Sequence, residues 1–254
     1  ENVSAYAGRL NFSRGGFNFM TEYAYKINDP SAFNNYIYKH GEALFISTSY
    51  SQKGLGITLS AKRIDNMSFK SDRAIERNAL DINFLPPITK QHTYTLLSFY
   101  PYASQPNGEM DLQAELIYTL PRKSALGGKY GTNIILNYSV ANSIERTAVN
   151  DTTLIGQKGT EGYKSDFFSL GDELFFRDFS VEIRRKFSSK FKMIAEYMNQ
   201  KYNQDVLEGH GGMISANIAA LDLSYKFTPK KSLRTELQFL STDQDLGKWG
   251  LILF

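Results

Sequence analysis

Three histidines are the side chains best suited to acid–base chemistry near neutral pH: His40, His92 and His210. Their spacing matches no metal-ligand motif and no catalytic triad. A hydrolase needs a base beside a nucleophilic hydroxyl, and His92 with Ser98 or Ser60 comes nearest to this requirement. His40 and His210 fall in predicted loops, where a histidine is usually just solvated. The sequence therefore predicts no catalytic residue and no enzymatic activity.

Two aspartates in one predicted loop, Asp65 and Asp72, have the residue type that binds calcium. The loop lacks the central glycine and the terminal glutamate of a calcium-binding loop, so solvated loop charge is the favoured interpretation. Residues 54–56 and 127–128 contain glycines and resemble fragments of phosphate-binding loops. They lie where strands are predicted to end, and as turns they need no ligand. The sequence thus predicts no metal and no cofactor.

The composition excludes several classes of protein. Lysine and arginine number 29 against 26 aspartates and glutamates, and this balance is too even for a nucleic-acid partner. There are no cysteines, which excludes disulfide-stapled modules and cysteine-ligated metal sites. No stretch approaches the roughly 18 consecutive apolar residues of a membrane helix. The first residues lack a signal-peptide pattern, so we expect any signal peptide to have been removed or to lie upstream.

Apolar and polar residues alternate with a period of two, which is typical of strands with one apolar face and one polar face. Residues 178–187, 221–227 and 233–239 show this pattern. Such strands run about ten residues, the length that a tilted strand needs to cross a bilayer. The apolar set is predicted to face lipid: Phe179, Val181, Ile183, Leu221, Leu223, Tyr225, Leu237 and Phe239. The polar set, together with Lys62, is predicted to line a lumen: Glu22, Lys26, Glu115, Glu182, Arg184, Lys192, Glu196, Lys226, Arg234 and Glu236.

The connections between predicted strands alternate between short and long, as periplasmic turns and outer loops do in outer-membrane barrels. The strands are predicted near residues 4–12, 17–27, 43–51, 54–64, 79–85, 92–100, 109–120, 131–142, 173–187, 191–202, 213–227, 232–242 and from 249. Long outer loops are predicted near 28–42, 65–78 and 143–172, whereas 86–91 is predicted to be a short turn. Aromatic residues beside the short turns indicate an interfacial girdle: Phe12, Phe17, Tyr50, Phe84, Phe187, Phe191 and Phe227.

The predicted fold class is all-β, a transmembrane antiparallel up-and-down β-barrel with about 13 strands in this chain. The first predicted strand leads into a short turn and so runs towards the periplasm, whereas a complete bacterial barrel starts at the periplasm. We therefore expect residues 1–254 to form a single β-barrel domain that is incomplete at both ends. Closure is expected to need at least about 14 strands, because bacterial barrels have an even number.

Several stretches resemble an uncharacterised outer-membrane β-barrel family of Bacteroidota whose members are longer than this chain. They are residues 36–43, 61–69, 85–94, 100–109 and 127–133. The resemblance extends over residues 1–143 and continues beyond them by pattern alone. It implies an outer-membrane barrel of unknown function with further strands on both sides, and it implies no catalytic residues.

Two classes of function fit these features. The first is a porin-like pore or transporter for polar solutes, with long loops that gate the lumen. The second is a non-enzymatic structural or assembly component of an outer-membrane protein complex, with a plugged barrel. Mixed charges on the lumen face favour pairing between strands over a selectivity surface. The expected location is the bacterial outer membrane, and the expected partners are lipid and other outer-membrane proteins; a soluble β-sandwich is the alternative fold.

Overall fold

A computed structural model describes residues 3–76 and 79–254. The described residues form one antiparallel sheet of eleven strands in chain order. The strands are β1 (Ala5–Arg14), β2 (Phe17–Lys26), β3 (Gly41–Gln52), β4 (Leu55–Asp65), β5 (Gly108–Leu120), β6 (Thr132–Ile144), β7 (Leu170–Lys186), β8 (Phe191–Asn203), β9 (Met213–Thr228), β10 (Lys231–Ser241) and β11 (Trp249–Leu253). A short helix, α1 (Gln204–Glu208), follows β8, and two 3-10 helices lie at Ala32–Asn34 and Leu96–Ser98. Within the described part of the chain, no helix has the length and apolar character needed to cross a membrane.

Each strand pairs only with its neighbours in the chain, so the described sheet is up-and-down but is not closed into a barrel. This confirms the all-β antiparallel class. The predicted number of strands is wrong, because segments 79–85 and 92–100 are not strands. Asp65 at the end of β4 pairs directly with Gly108 at the start of β5, so these two strands occupy the positions that the extra strands would have needed.

The false strands belong to one long connection, residues 66–107, that folds against the sheet. Tyr94, Leu96, Leu97 and Tyr100 are each buried by packing on the sheet instead of pairing within it. The predicted short turn at 86–91 lies inside the same connection and is not a turn between strands. Because two predicted strands disappear together, each remaining connection stays at the end of the sheet to which it was predicted to belong.

The two ends of the sheet differ in the length of their connections. The turn end carries residues 15–16, 53–54, 121–131, 187–190 and 229–230. Gly15 and Gly54 have φ of 60° and 82° there, a left-handed conformation that favours glycine in tight turns.

The loop end carries the connections 27–40, 66–107, 145–169, 204–212 and 242–248, of which the last two are shorter than the turn-end connection 121–131. The predicted loops 28–42 and 143–172 correspond to the first and third of these. The predicted loop 65–78 is only the beginning of the second, and its last two residues lie outside the described residues.

The register gives the sheet two distinct faces. One, here called the covered face, carries the connection 66–107, and Leu97 packs there with Ile218 and Leu240 in the main apolar core. The opposite, bare face exposes large apolar side chains, including Leu59 and Phe239, which are 50% and 52% exposed. The core therefore lies at the loop end of the covered face, between the sheet and its own connection.

Candidate functional site

The residues predicted to line a lumen all share the covered face. Cross-strand pairs such as Glu182 with Glu196 fix this arrangement. Their burial depends on their position between the loop end and the turn end of the sheet. Lys26, Glu182, Glu196 and Glu236 are buried beneath the connections, and Glu22 and Glu115 are half-buried. Arg184, Lys192, Lys226 and Arg234 lie nearer the turn end and are exposed. That this face lines a lumen stays a prediction.

The residues predicted to face lipid all lie on the bare face. Phe179, Ile183, Tyr225, Leu237 and Phe239 are between 36% and 52% exposed. Val181, Leu221 and Leu223 are half-buried among their neighbours in the sheet. Their contact with lipid stays a prediction.

Residues 85–107 cross the covered face from β4 to β11 and are here called the crossing segment. Lys62 on β4 donates from Nζ to the carbonyl oxygen of Pro86 at 2.9 Å and to Ser104 Oγ at 2.7 Å. The backbone N–H of Leu96 donates to Gln238 Oε1 on β10 at 2.7 Å. A further contact reaches the edge of the sheet, where the rings of Phe99 and Trp249 lie 6.2 Å apart.

His92 of the crossing segment lies between two buried carboxylates. Its Nε2 is 2.6 Å from Asp178 Oδ2 on β7, and its Nδ1 is 2.9 Å from Glu196 Oε1 on β8. Burial alone would lower the pKa of His92, but the hydrogen bonds and charges of the two carboxylates outweigh it and raise this pKa to about 9. With a carboxylate at each ring nitrogen, the imidazolium donates from both. His92 is therefore a cation that fastens the segment to the sheet.

The predicted base–nucleophile set is not assembled. Ser98 Oγ donates to the main-chain carbonyl of His92 at 2.8 Å and does not contact the ring. Ser60 Oγ instead donates to Ser47 Oγ at 3.0 Å. The other two histidines lie in loops, as predicted: His40 stacks on Tyr25, and the side chain of His210 is 66% exposed beside Glu208.

Lys90 accompanies His92 and balances a pair of like charges. Glu182 and Glu196 are directly opposite each other on β7 and β8, an arrangement that costs free energy unless a cation is near. Lys90 Nζ lies 3.2 Å from Glu196 Oε1 and 3.8 Å from Glu182 Oε2. Pairing of the two strands is enough to show that two glutamates face each other. From that pairing, a cation bound to this face could have been predicted.

A second ion cluster, centred on Lys62, holds the two ends of the crossing segment at Pro86 and Ser104. Lys62 Nζ lies 2.7 Å from Glu109 Oε1 and 3.0 Å from Asp111 Oδ2, and all three side chains are buried. Tyr102 donates from its hydroxyl to Glu109. Burial and the nearby Glu109 carboxylate raise the pKa of Tyr102, so it stays a neutral donor. The segment is thus bound by charged groups at both ends.

The model of a family of unknown function, DUF6029, matches residues 1–254. The chain belongs to this family. A comparison with curated proteins gives no match.

In this member of DUF6029, Asp65 is buried, contrary to the interpretation as solvated loop charge. It accepts hydrogen bonds from Tyr163 Oη at 2.6 Å and Ser165 Oγ at 2.5 Å, and Lys39 Nζ lies 3.5 Å away. Asp72 lies apart and accepts from the backbone of Ala74. Asp65 therefore joins long connections at the loop end, and burial next to it raises the pKa of Tyr163. Among the described residues, no three His, Cys, Asp or Glu side chains are placed to hold a metal ion.

A cavity of about 690 Å³ lies beside the crossing segment, against the covered face of β1–β4. Its lining is mostly apolar and includes Met20, Ala24, Phe45, Leu85 and Ile88. The crossing segment therefore fills the covered face over the later strands more completely than over the first four.

Proposed function

We propose that this chain is a section of a bacterial outer-membrane β-barrel whose interior is closed by its own crossing segment. Its role is then non-enzymatic, as a structural or assembly component of an outer-membrane protein complex. The proposal rests on an exposed apolar face that lies opposite a charged face covered by a segment of the same chain. We further propose that the family belongs to Bacteroidota, as the resemblance implies.

The bare face supports placement in a membrane, because its apolar band has a suitable height. In and after β7 the band runs from Phe179 through Ile183 to Phe187. This distance is about 27 Å along the strand, or about 20 Å in height at a tilt of about 40°, near the roughly 25 Å of outer-membrane barrels. Arg185 interrupts the band close to the turn end, where its guanidinium lies over the Phe187 ring. Long cationic side chains at such positions can extend to the interface.

Exposed aromatic residues at the turn end support an interfacial position for that end. Phe12, Phe17, Tyr50, Phe187 and Phe227 lie beside the short turns and are between 40% and 55% exposed. Aromatic rings at this level are typical of membrane–water interfaces. Phe84, which was predicted to join them, lies in the connection 66–107 instead and is 86% exposed.

The crossing segment supports a closed interior over an open pore. It places Lys90, His92 and the donors of its backbone against buried carboxylates and amides of β7–β10. Displacing the segment would break these ion pairs, separate Leu97 from Ile218 and Leu240, and expose this apolar core to water, which costs free energy. A segment bound in this way is expected to stay in place during ordinary thermal motion.

A pore or transporter for polar solutes is the second candidate. It is favoured by the cavity beside β1–β4, which the crossing segment leaves unfilled, and by the exposed charges near the turn end, Arg184, Lys192, Lys226 and Arg234. In this alternative, solute passes beside the crossing segment or after its displacement.

Single-channel recording of the intact, full-length protein in planar lipid separates these candidates. We expect the wild-type barrel to be silent. A variant in which a short turn replaces residues 66–107 is expected to give stepwise current, since Asp65 and Gly108 already pair at the position where that turn would close the hairpin. The matched control replaces residues 145–169 in the same way, between Ile144 and Leu170, which also pair, and should stay silent.

Stepwise current from the wild type would favour the pore. Silence of the folded variant without residues 66–107 would contradict closure by the crossing segment. Failure of the wild-type protein to enter lipid would contradict the membrane location.

A further inference from the structure

The turn end of the sheet is uniformly basic. The segments 13–18, 50–57, 117–134, 183–192 and 224–235 surround the short turns. They contain many lysines and arginines and not one aspartate or glutamate. The acidic residues among those that the structure describes lie in the middle of the strands and at the loop end. A nearly even total charge therefore conceals a strong separation of charge along the strands.

Five of these cations share the covered face on neighbouring strands and form what is here called the basic patch: Arg184, Lys186, Lys192, Lys226 and Arg234. Lys186 and Lys192 are directly opposite each other on β7 and β8. Lys226 is two residues from Ser224, the β9 partner of Lys192. Like charges directly opposite destabilise a sheet, so this arrangement favours binding of an anion.

The nearest acids of the covered face are already paired. Arg234 Nη2 lies 2.8 Å from Asp222 Oδ2 and 2.7 Å from Glu236 Oε2, and Arg184 pairs with Glu182. Within residues 3–76 and 79–254, no carboxylate lies within salt-bridge distance of the three lysines of the patch. The Lys186 ammonium lies 4.8 Å from the centre of the Tyr130 ring. The opposed glutamates deeper on this face have Lys90, whereas the opposed lysines have no such counterion in the described part of the chain.

We infer that the basic patch docks an acidic polypeptide segment of a partner protein. The patch lies on the covered face, away from the apolar band, so its ammonium groups are not directed at the surface proposed to meet lipid. It extends over four strands, roughly 15 Å at the usual strand spacing, and is open to solvent. Carboxylates spaced along an extended chain match such a row better than one small anion does. The inference deepens the proposed assembly role, on which it rests, by naming the chemistry of the partner.

Fluorescence anisotropy of a labelled oligoglutamate peptide tests the inference on the full-length protein in uncharged detergent. We expect salt-sensitive binding that the variant K186Q/K192Q/K226Q weakens by about tenfold or more. The matched control K53Q/K190Q/K230Q removes the same charge from exposed lysines in the turns, and should weaken binding by less than about threefold. K186R/K192R/K226R, which keeps the charge, should bind as the wild type does.

Equal weakening in the two glutamine variants, or no binding to the wild-type protein, would overturn the inference. Displacement of the peptide by pyrophosphate at lower concentration would replace it with a small-anion site. Capture by vesicles of anionic phospholipid that is lost in K186Q/K192Q/K226Q would replace it with a lipid surface. Peptide binding is measured in detergent and does not depend on conductance. The single-channel recording therefore tests the proposed function, and the binding assay tests this inference.

Discussion

A histidine ring enclosed by two buried carboxylates is held in its charged form by a balance of two effects. Removal of His92 from water disfavours its cation, and the contacts to Asp178 and Glu196 favour it by a greater amount. The folded-state pKa of about 9 lies above the unfolded value of about 6.5. The contribution of His92 to stability is therefore complete below about pH 6.5 and is lost as the pH rises through about 9.

His92→Gln is expected to lower the free energy of unfolding by on the order of 3 kcal/mol at acid pH, because two buried carboxylates lose their charged donor. The difference from wild type should shrink as the pH rises through about 9, where the wild-type ring becomes neutral. Denaturant unfolding in detergent between about pH 6 and pH 10 measures it. His210→Gln, at a largely exposed ring, is the control and should show no such trend. A difference that does not change with pH would contradict the assignment of His92 as a buried cation.

At the scale of elements, β4 and β5 show why a connection of this length does not interrupt the sheet. Their pairing runs without a break from Leu55 with Tyr118 to Asp65 with Gly108, so the ladder is complete before the connection begins. Lys62 then bonds outward to both ends of the crossing segment and inward to two acids of β5. One buried ammonium thus couples the hairpin to the segment that covers it.

Lys62→Met is expected to destabilise the protein by about 3–5 kcal/mol, because it leaves Glu109 and Asp111 buried without a cation. The triple variant K62M/E109Q/D111N should recover a large part of that loss, since no charge is then buried. Denaturant unfolding of the three proteins under the same conditions measures both effects. A single variant within about 1 kcal/mol of wild type would show that the cluster does not hold the segment.

The strands were largely predictable from the sequence because their alternating pattern is local. Residues 221–227 and 233–239 lie within β9 and β10, and the predicted strand 17–27 differs from β2 at one end by one residue. Residues 92–100 are rich in apolar and aromatic side chains, but they pack on the sheet and include a 3-10 helix in which the consecutive residues Leu96 and Leu97 are both buried. His92 lies 86 residues from Asp178 and 104 residues from Glu196 in the sequence. A local sequence pattern cannot predict a contact between residues so far apart.

At the scale of the whole molecule, the sheet separates its chemistry in two directions. Across its thickness, apolar side chains occupy the bare face while charged side chains and the crossing segment occupy the other. Along the strands, acids are confined to the middle and the loop end, whereas bases occur at both ends, so that the turn end is left basic. The alternation of apolar and polar residues predicted the first separation. The second could not be predicted from the net charge, because the net charge does not show where along each strand the charged residues lie.

Placement of the bare face in lipid predicts a contrast between single cysteines introduced on the two faces of the full-length protein. In sealed vesicles, Leu237→Cys on the bare face should react slowly with a membrane-impermeant maleimide, because lipid excludes the reagent. Lys226→Cys on the covered face is exposed near the turn end and should react at least about tenfold faster once the reagent reaches that side. Both should react fully after denaturation. Equal rates in folded protein would contradict the lipid-facing assignment.

The contact between Phe99 and Trp249 gives the chain a built-in optical reporter. Trp249 is the one tryptophan of the chain, and its indole lies 6.2 Å from a ring of the crossing segment. Trp249 is already 45% exposed, so withdrawal of that segment would remove the Phe99 ring from an indole that partly meets water, and the emission of the indole would change without any attached dye. Movement of the segment is therefore measurable by intrinsic fluorescence in real time, including under a jump in pH, in a protein that carries no label.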